Sequence, residues 1–191
     1  MSTSSGRPVL YSIVCGARPS AKAGIFVRRV QAAGWEVCVI ATPQAMKFID
    51  VPAFEGLTGY PVRSEYKLPD EPDVLPPADA LVVAPATFNT INKWATGITD
   101  TLALGLACEV MGMGLPIVAA PFPNTALARH PAFARSVAEL RACGVQVLYD
   151  PEMYLQLEPG TGPPAAMMFD WDAVFDAFEL AASNRHLPTD P

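Results

Sequence analysis

Short apolar runs along the chain alternate with longer segments in which apolar residues recur every three or four positions. The first run, Pro8–Cys15, predicts a strand, and after Gly16–Lys22 a helix follows with Ile25, Phe26, Val30 and Ala33 on one side. Gly34 ends that helix. Trp35–Ala41 predicts a second strand, laid parallel to the first by the right-handed crossover rule. A short helix is expected over Gln44–Ile49, and from Asp50 to Pro77 the pattern loses its period while proline and acidic residues accumulate. This long connection should lie over the carboxyl edge of the sheet. Ala80–Ala84 has no polar member, so both faces of a third strand should be covered. Proline cannot donate to a ladder, which predicts the end of that strand at Pro85. Beyond it the pattern predicts one long helix over 89–109 (Trp94, Ile98, Leu102, Leu106), a strand at Leu115–Ala120 and a helix over 125–142 (Leu127, Phe133, Val137, Leu140). A strand at Val145–Leu148, a proline- and glycine-bearing excursion over 151–168 and a final helix at Trp171–Ala182 complete the order. The tails, 1–7 and 184–191, should be loose. Strand and helix in alternation predict an α/β chain with a doubly wound parallel sheet, and 191 residues suit one domain over 1–191.

Composition narrows the setting. Hydrophobic residues make up 51% of the chain, yet no apolar run approaches the roughly 20 residues of a membrane span. With no charged and apolar leader at the start, a cytoplasmic protein is expected, without a membrane partner. The net charge of −6 comes without a clustered Lys/Arg face, which argues against a nucleic-acid partner. Cys15, Cys38, Cys108 and Cys143 show no CxxC or other ligand spacing, so reduced, buried thiols are expected and no metal site.

Candidate chemistry gathers at the carboxyl ends of the predicted strands. Gly16, Ala17 and Arg18, with Ser20, follow the first strand and offer backbone amides, a hydroxyl and a guanidinium that suit a phosphate; an ordinary strand-to-helix loop would look the same. The single glycine there is not a GxGxxG fingerprint. Thr42 ends the second strand in similar fashion. After Pro85, Thr87, Asn89 and Thr90 place hydroxyl and amide groups where a helix leaves its first donors free, either as caps or as contacts to an anion or cofactor edge. Asn124 stands at the end of a further strand with the same two readings, and His130, before Pro131, reads as structural. Glu71 lies in the proline-rich connection, where an acid is ordinarily a solvated surface group.

These residues resemble a known family. Pro85-Ala-Thr-Phe-Asn-Thr90, continued by Ile91-Asn-Lys93, Gly97-Ile98 and Asp100, resembles the PASANT motif of the homo-oligomeric flavin-containing cysteine decarboxylases, with Thr87 in place of a serine and Phe88 in place of an alanine. Pro121–Ala128 is similar to their PxMNxxMW motif: Asn124 is kept, while Pro123, Leu127 and Ala128 replace Met, Met and Trp. Gly16-Ala17-Arg18 stands where the family often has Gly-Ser-Ile, and Thr42 where a Ser or Thr meets the flavin phosphate. The resemblance implies a three-layer Rossmann-like fold of flavoprotein type that binds FMN, less often FAD, at a subunit contact in trimers or dodecamers. It implies Gly16, Ala17, Arg18, Ser20, Thr42, Pro85, Thr87, Phe88, Asn89 and Thr90 as cofactor residues, with Asn124 orienting the substrate. The activity implied is oxidation of a cysteine to a thioaldehyde by hydride transfer to the flavin, followed by loss of carbon dioxide to leave an enethiol. Glu71 falls fourteen residues before Pro85, where the family carries its active-site histidine. A neutral imidazole takes a thiol proton near neutral pH, and an ordinary carboxylate is a weaker base. Leu157–Pro164 lacks the cysteine of the pantothenate-pathway enzymes, so the resemblance favours the peptide-modifying, lantibiotic or epidermin-type branch acting on a precursor peptide with a C-terminal cysteine. Two alternatives stand beside it: a flavin-binding partner that no longer decarboxylates, and a thiol-oxidising flavoprotein with a small-molecule substrate.

Overall fold

The computed structural model describes residues 6–150, 158–160 and 169–184. The tail and excursion expectations fall mostly outside these residues. Five strands, β1 (Val9–Val14), β2 (Glu36–Ala41), β3 (Ala80–Ala86), β4 (Ile117–Pro121) and β5 (Gln146–Val147), form one parallel sheet in the order β2-β1-β3-β4-β5. All residues of β1, β3 and β4 are buried, as their unbroken apolar runs require of strands covered on both faces.

Side-chain alternation sorts the sheet into two cores. Tyr11, Ile13, Cys38, Ile40, Leu81 and Val83 pack against α3 (Phe88–Ala95), α4 (Leu102–Gly112) and α6 (Pro131–Ala142), where Trp94, Leu104 and Phe133 are buried. Leu10, Val14, Val37, Val39, Val82 and Ala84 face the other way, onto α1 (Gly24–Ala32), α2 (Val51–Thr58) and α7 (Trp171–Ser183). On that side Phe26 stacks on Trp171, and Trp35 meets Phe178 edge to face. Helix, sheet, helix make the three-layer Rossmann-like α/β fold. The strand order reverses direction between β1 and β3, and in open α/β sheets ligands bind in the crevice outside the carboxyl ends at such a point.

Six expectations need correction. The third strand does not stop at Pro85: it runs to Ala86, because the register shifts after Val83 and Ala86 pairs with Pro121, its carbonyl accepting from the Phe122 amide at 2.8 Å. The segment 89–109 is two helices. Gly97, at φ 71°, leaves the right-handed helical region, and the Thr101 hydroxyl caps a new helix by accepting from the Leu104 amide. The segment 125–142 is likewise α5 (Thr125–Ala128) and α6, since Pro131 suits a first helical turn and not an interior; His130 caps α6, its Nδ1 accepting from the Ala132 amide. The long connection opens with α2, capped by Asp50 and closed by Gly59 at φ 74°. Gln44–Ile49 contracts to a 3₁₀ turn at Ala45–Lys47. The four cysteines are free thiols, but only Cys15 and Cys38 are buried; Cys108 is half-buried and Cys143 exposed.

Candidate functional site

Three turns meet at the switch point, and glycine lets two of them touch. A Cβ built on Gly16 would lie 2.7 Å from Gln44 Cβ, so the β1 and β2 turns pack together only because position 16 has no side chain. The third turn leaves β3 at Thr87, whose hydroxyl accepts from the Thr90 amide at 3.2 Å and caps α3. The Thr90 hydroxyl lies 2.9 Å from that of Thr87 and donates to Cys15 Sγ at 3.4 Å, which ties β3's turn to the end of β1. Burial pushes the Cys15 thiol up, opposed by the Thr90 hydroxyl and the Thr87 amide.

Two cavities flank this junction and share Gly16, Thr87 and Asn89 as a common wall. The first, about 480 Å³, adds Thr42, Pro43, Gln44, Thr90, Lys93, Thr101 and Leu104. It is rich in hydroxyls and amides, and its Lys93 ammonium is bound to Asp100 at 2.5 Å. The second, about 400 Å³, adds Ala17, Arg18, Phe88, Phe122, Asn124, Leu127 and Glu158 among its lining. Phe88 is held by His130 and Phe133, with ring centroids 5.7 and 6.0 Å away. Asn124 Oδ1 accepts from the Leu127 amide at 2.9 Å and so caps α5, which leaves its amide nitrogen for another partner.

Of the residues picked from the sequence, Gly16, Ala17, Arg18, Thr42, Thr87, Phe88, Asn89, Thr90 and Asn124 line one cavity or both. Ser20 does not: it is fully buried, and its hydroxyl donates to the Cys15 carbonyl at 2.5 Å, fixing the turn from beneath. Pro85 is buried in β3 and lines neither cavity. Glu71 also stands apart. It is exposed, accepts from the Leu68 amide at 3.0 Å within its own turn, and lines neither cavity. Gln44, Thr101, Phe122 and Glu158 are cavity residues that the sequence did not single out. Thr101 carried a signal, a threonine immediately before the apolar run Leu102–Leu104 and four residues after Gly97, which marks a helix start.

A parallel sheet with a polar cleft at its switch point places the chain in the class of open α/β proteins that bind ligands at that crevice. Comparison narrows this class. Residues 2–181 match the Flavoprotein family, and the chain belongs to it, within the flavin-containing cysteine decarboxylases. It is similar to the coenzyme A biosynthesis bifunctional protein CoaBC of Mycobacterium tuberculosis, 35% identical over 153 residues that cover 78% of this chain and 34% of that protein. It is also similar to phosphopantothenoylcysteine decarboxylase of Mus musculus, 36% identical over 123 residues, covering 58% of this chain and 57% of that one. The chain thus spans about a third of the length of the CoaBC protein it matches. Among solved structures, the FMN-dependent cysteine decarboxylase SpaF superposes with a TM-score of 0.65 at 26% identity, covering 92% of this chain and 97% of that one.

The site fits a flavin on its own chemistry. Two adjoining cavities, one rich in hydroxyls and amides and the other bordered by Phe88 and Phe122, lie within the size range of small-molecule sites.

Proposed function

We propose that this chain binds FMN across the β1–β3 switch point and oxidatively decarboxylates a C-terminal peptidyl cysteine. The observation that carries the reading is the pair of cavities meeting at Gly16, Thr87 and Asn89, with Asn124 on the outer one. Thr42, Asn89 and Lys93 would hold the phosphate and ribityl chain, Thr90 bracing the turn behind them, and Gly16 lets the β1 and β2 turns pack together around it. Phe88 and Phe122 would wall the ring edge and keep water from it. When bound, the flavin supplies the hydride acceptor that cysteine oxidation needs. Asn124, its Oδ1 committed to the α5 cap, presents its Nδ2–H donors to the substrate's carboxylate or thiol and so orients the bond to be broken.

Glu71 enters this reading as a base supplied from a second copy of the chain. Leu68 and Val74, on either side of it, are exposed apolar residues at 67% and 45%, which suits a subunit contact. A homo-oligomer, trimer or dodecamer, in which each copy lends its 66–74 segment to a neighbour would complete the site. No helix among the described residues is long and apolar enough to cross a membrane.

The identity to CoaBC and to the mouse decarboxylase favours a second reading, a phosphopantothenoylcysteine substrate. One experiment separates them: the yellow protein is incubated with a Cys-terminated peptide and, separately, with phosphopantothenoylcysteine, and the products are weighed by mass spectrometry. Loss of carbon dioxide and two hydrogens from the peptide supports the first reading. Turnover of phosphopantothenoylcysteine alone selects the second, and a flavin-loaded protein inert to both selects a binding partner without decarboxylase activity.

A further inference from the structure

Cys15 closes β1 with no exposed surface, directly beneath the turn that separates the two cavities. Its carbonyl accepts from the Ala17 amide at 2.7 Å and the Ser20 hydroxyl at 2.5 Å, and its Sγ accepts from the Thr90 hydroxyl at 3.4 Å. A hydroxyl carries one proton, and O–H is a much stronger donor than S–H. Thr90 therefore spends its proton on Cys15. With the Thr90 proton directed at Cys15 Sγ, Thr87 is the donor in its 2.9 Å contact with Thr90. Thr87 Oγ1 also accepts from the Thr90 amide. What it has left for the two cavities is a lone pair and no proton.

We propose that Cys15 is a positioning residue that sets the hydrogen-bond polarity of the β3–α3 turn, so that Thr87 meets the flavin as an acceptor. Its partner is then a donor on the non-phosphate part of the cofactor, a ribityl hydroxyl or the ring N–H. The phosphate, which needs donors, falls to Thr42, Asn89 and Lys93 in the first cavity. This inference rests on the flavin reading of the site.

The test titrates FMN, riboflavin and inorganic phosphate (by competition with FMN) into the purified protein and its variants, with far-UV circular dichroism as the control for folding. In Cys15→Ala the Thr90 proton loses its acceptor and the relay can reverse. FMN and riboflavin should each weaken by the same factor, about three- to tenfold, the worth of one ordinary hydrogen bond, while phosphate affinity stays put. Cys15→Ser, which restores an acceptor, should recover most of the loss. Thr87→Val should weaken both flavins to a similar degree, and adding Cys15→Ala to it should cost nothing more, because the thiol acts through Thr87. A loss confined to FMN and phosphate, additive losses in the double variant, or no recovery by serine would overturn the proposal. A wild-type protein that binds no flavin would instead sink the reading of the site itself.

Discussion

In the proposed reading, Asn124 divides its two ends between structure and chemistry. Its Oδ1 accepts from the Leu127 amide of α5, and the residue lines the second cavity. Asn124→Asp keeps the cap and removes the donor, so kcat/KM should fall about 100-fold with little change in melting temperature. Asn124→Ala loses both and should also lower stability by about 1 kcal/mol. An Asn124→Asp variant that keeps both its melting temperature and its kcat/KM would show that the cap is the whole of its role. Gly16→Ala makes a second residue-scale forecast: the added methyl meets Gln44 Cβ, the turns separate, and flavin affinity should drop at least tenfold in a fluorescence titration. Most cavity residues were legible from the sequence because they sit one to three positions beyond an apolar run, where strand ends and helix starts coincide. Ser20 was misplaced for an instructive reason. Its hydroxyl type suits a phosphate, but nothing in the linear pattern tells whether a side chain in a turn points to the cleft or back to the Cys15 carbonyl.

At the scale of elements, the strands read well and the helix breaks did not. Apolar periodicity runs through Gly97 and Pro131 almost undisturbed, since residues on both sides still face one core, so the pattern reports the buried face and not the continuity of the helix. The break at Gly97 has its own use. It turns the chain so that Lys93 on α3 reaches Asp100 before α4, and Thr101 arrives in the first cavity as a cap. Gly97→Ala should therefore cost about 1 kcal/mol, a few degrees in melting temperature, through the left-handed backbone it must keep. α2 went unread because Pro52 and Gly56 interrupt its apolar rhythm, although Asp50 and Gly59 mark its ends. The loop after it is held down by Tyr66, whose hydroxyl donates to the Thr99 and Thr101 carbonyls at 3.1 Å over Gly105. Gly105→Ala would place a methyl 2.1 Å from that hydroxyl and should raise proteolysis within 61–79.

At the scale of the whole molecule, the doubly wound sheet followed from composition and order of runs alone, whereas the subunit arrangement does not follow from one chain. If Glu71 serves a neighbour's site, Leu68→Glu should shift sedimentation to smaller species and reduce turnover together, while Glu71→Gln should reduce turnover and leave assembly intact. Alkaline pH offers a separate global check. A hydrogen bond to the Glu36 carboxylate raises Tyr60 from 10.0 to about 12, and burial raises Tyr11 to about the same value. Both folded pKa values lie above the unfolded ones, so their contribution is complete below pH 10 and disappears as pH rises to about 12. Urea midpoints should hold to pH 10 and then fall, and Tyr60→Phe should flatten part of that fall.

The wall common to both cavities has a further consequence for anyone wishing to redesign the site. Gly16, Thr87 and Asn89 belong to two compartments at once, so altering them trades one occupant against the other. Phe122 and Leu127 border only the outer compartment. Phe122 walls the proposed ring, so a library confined to Leu127 would explore new substrates while the prosthetic group keeps its berth.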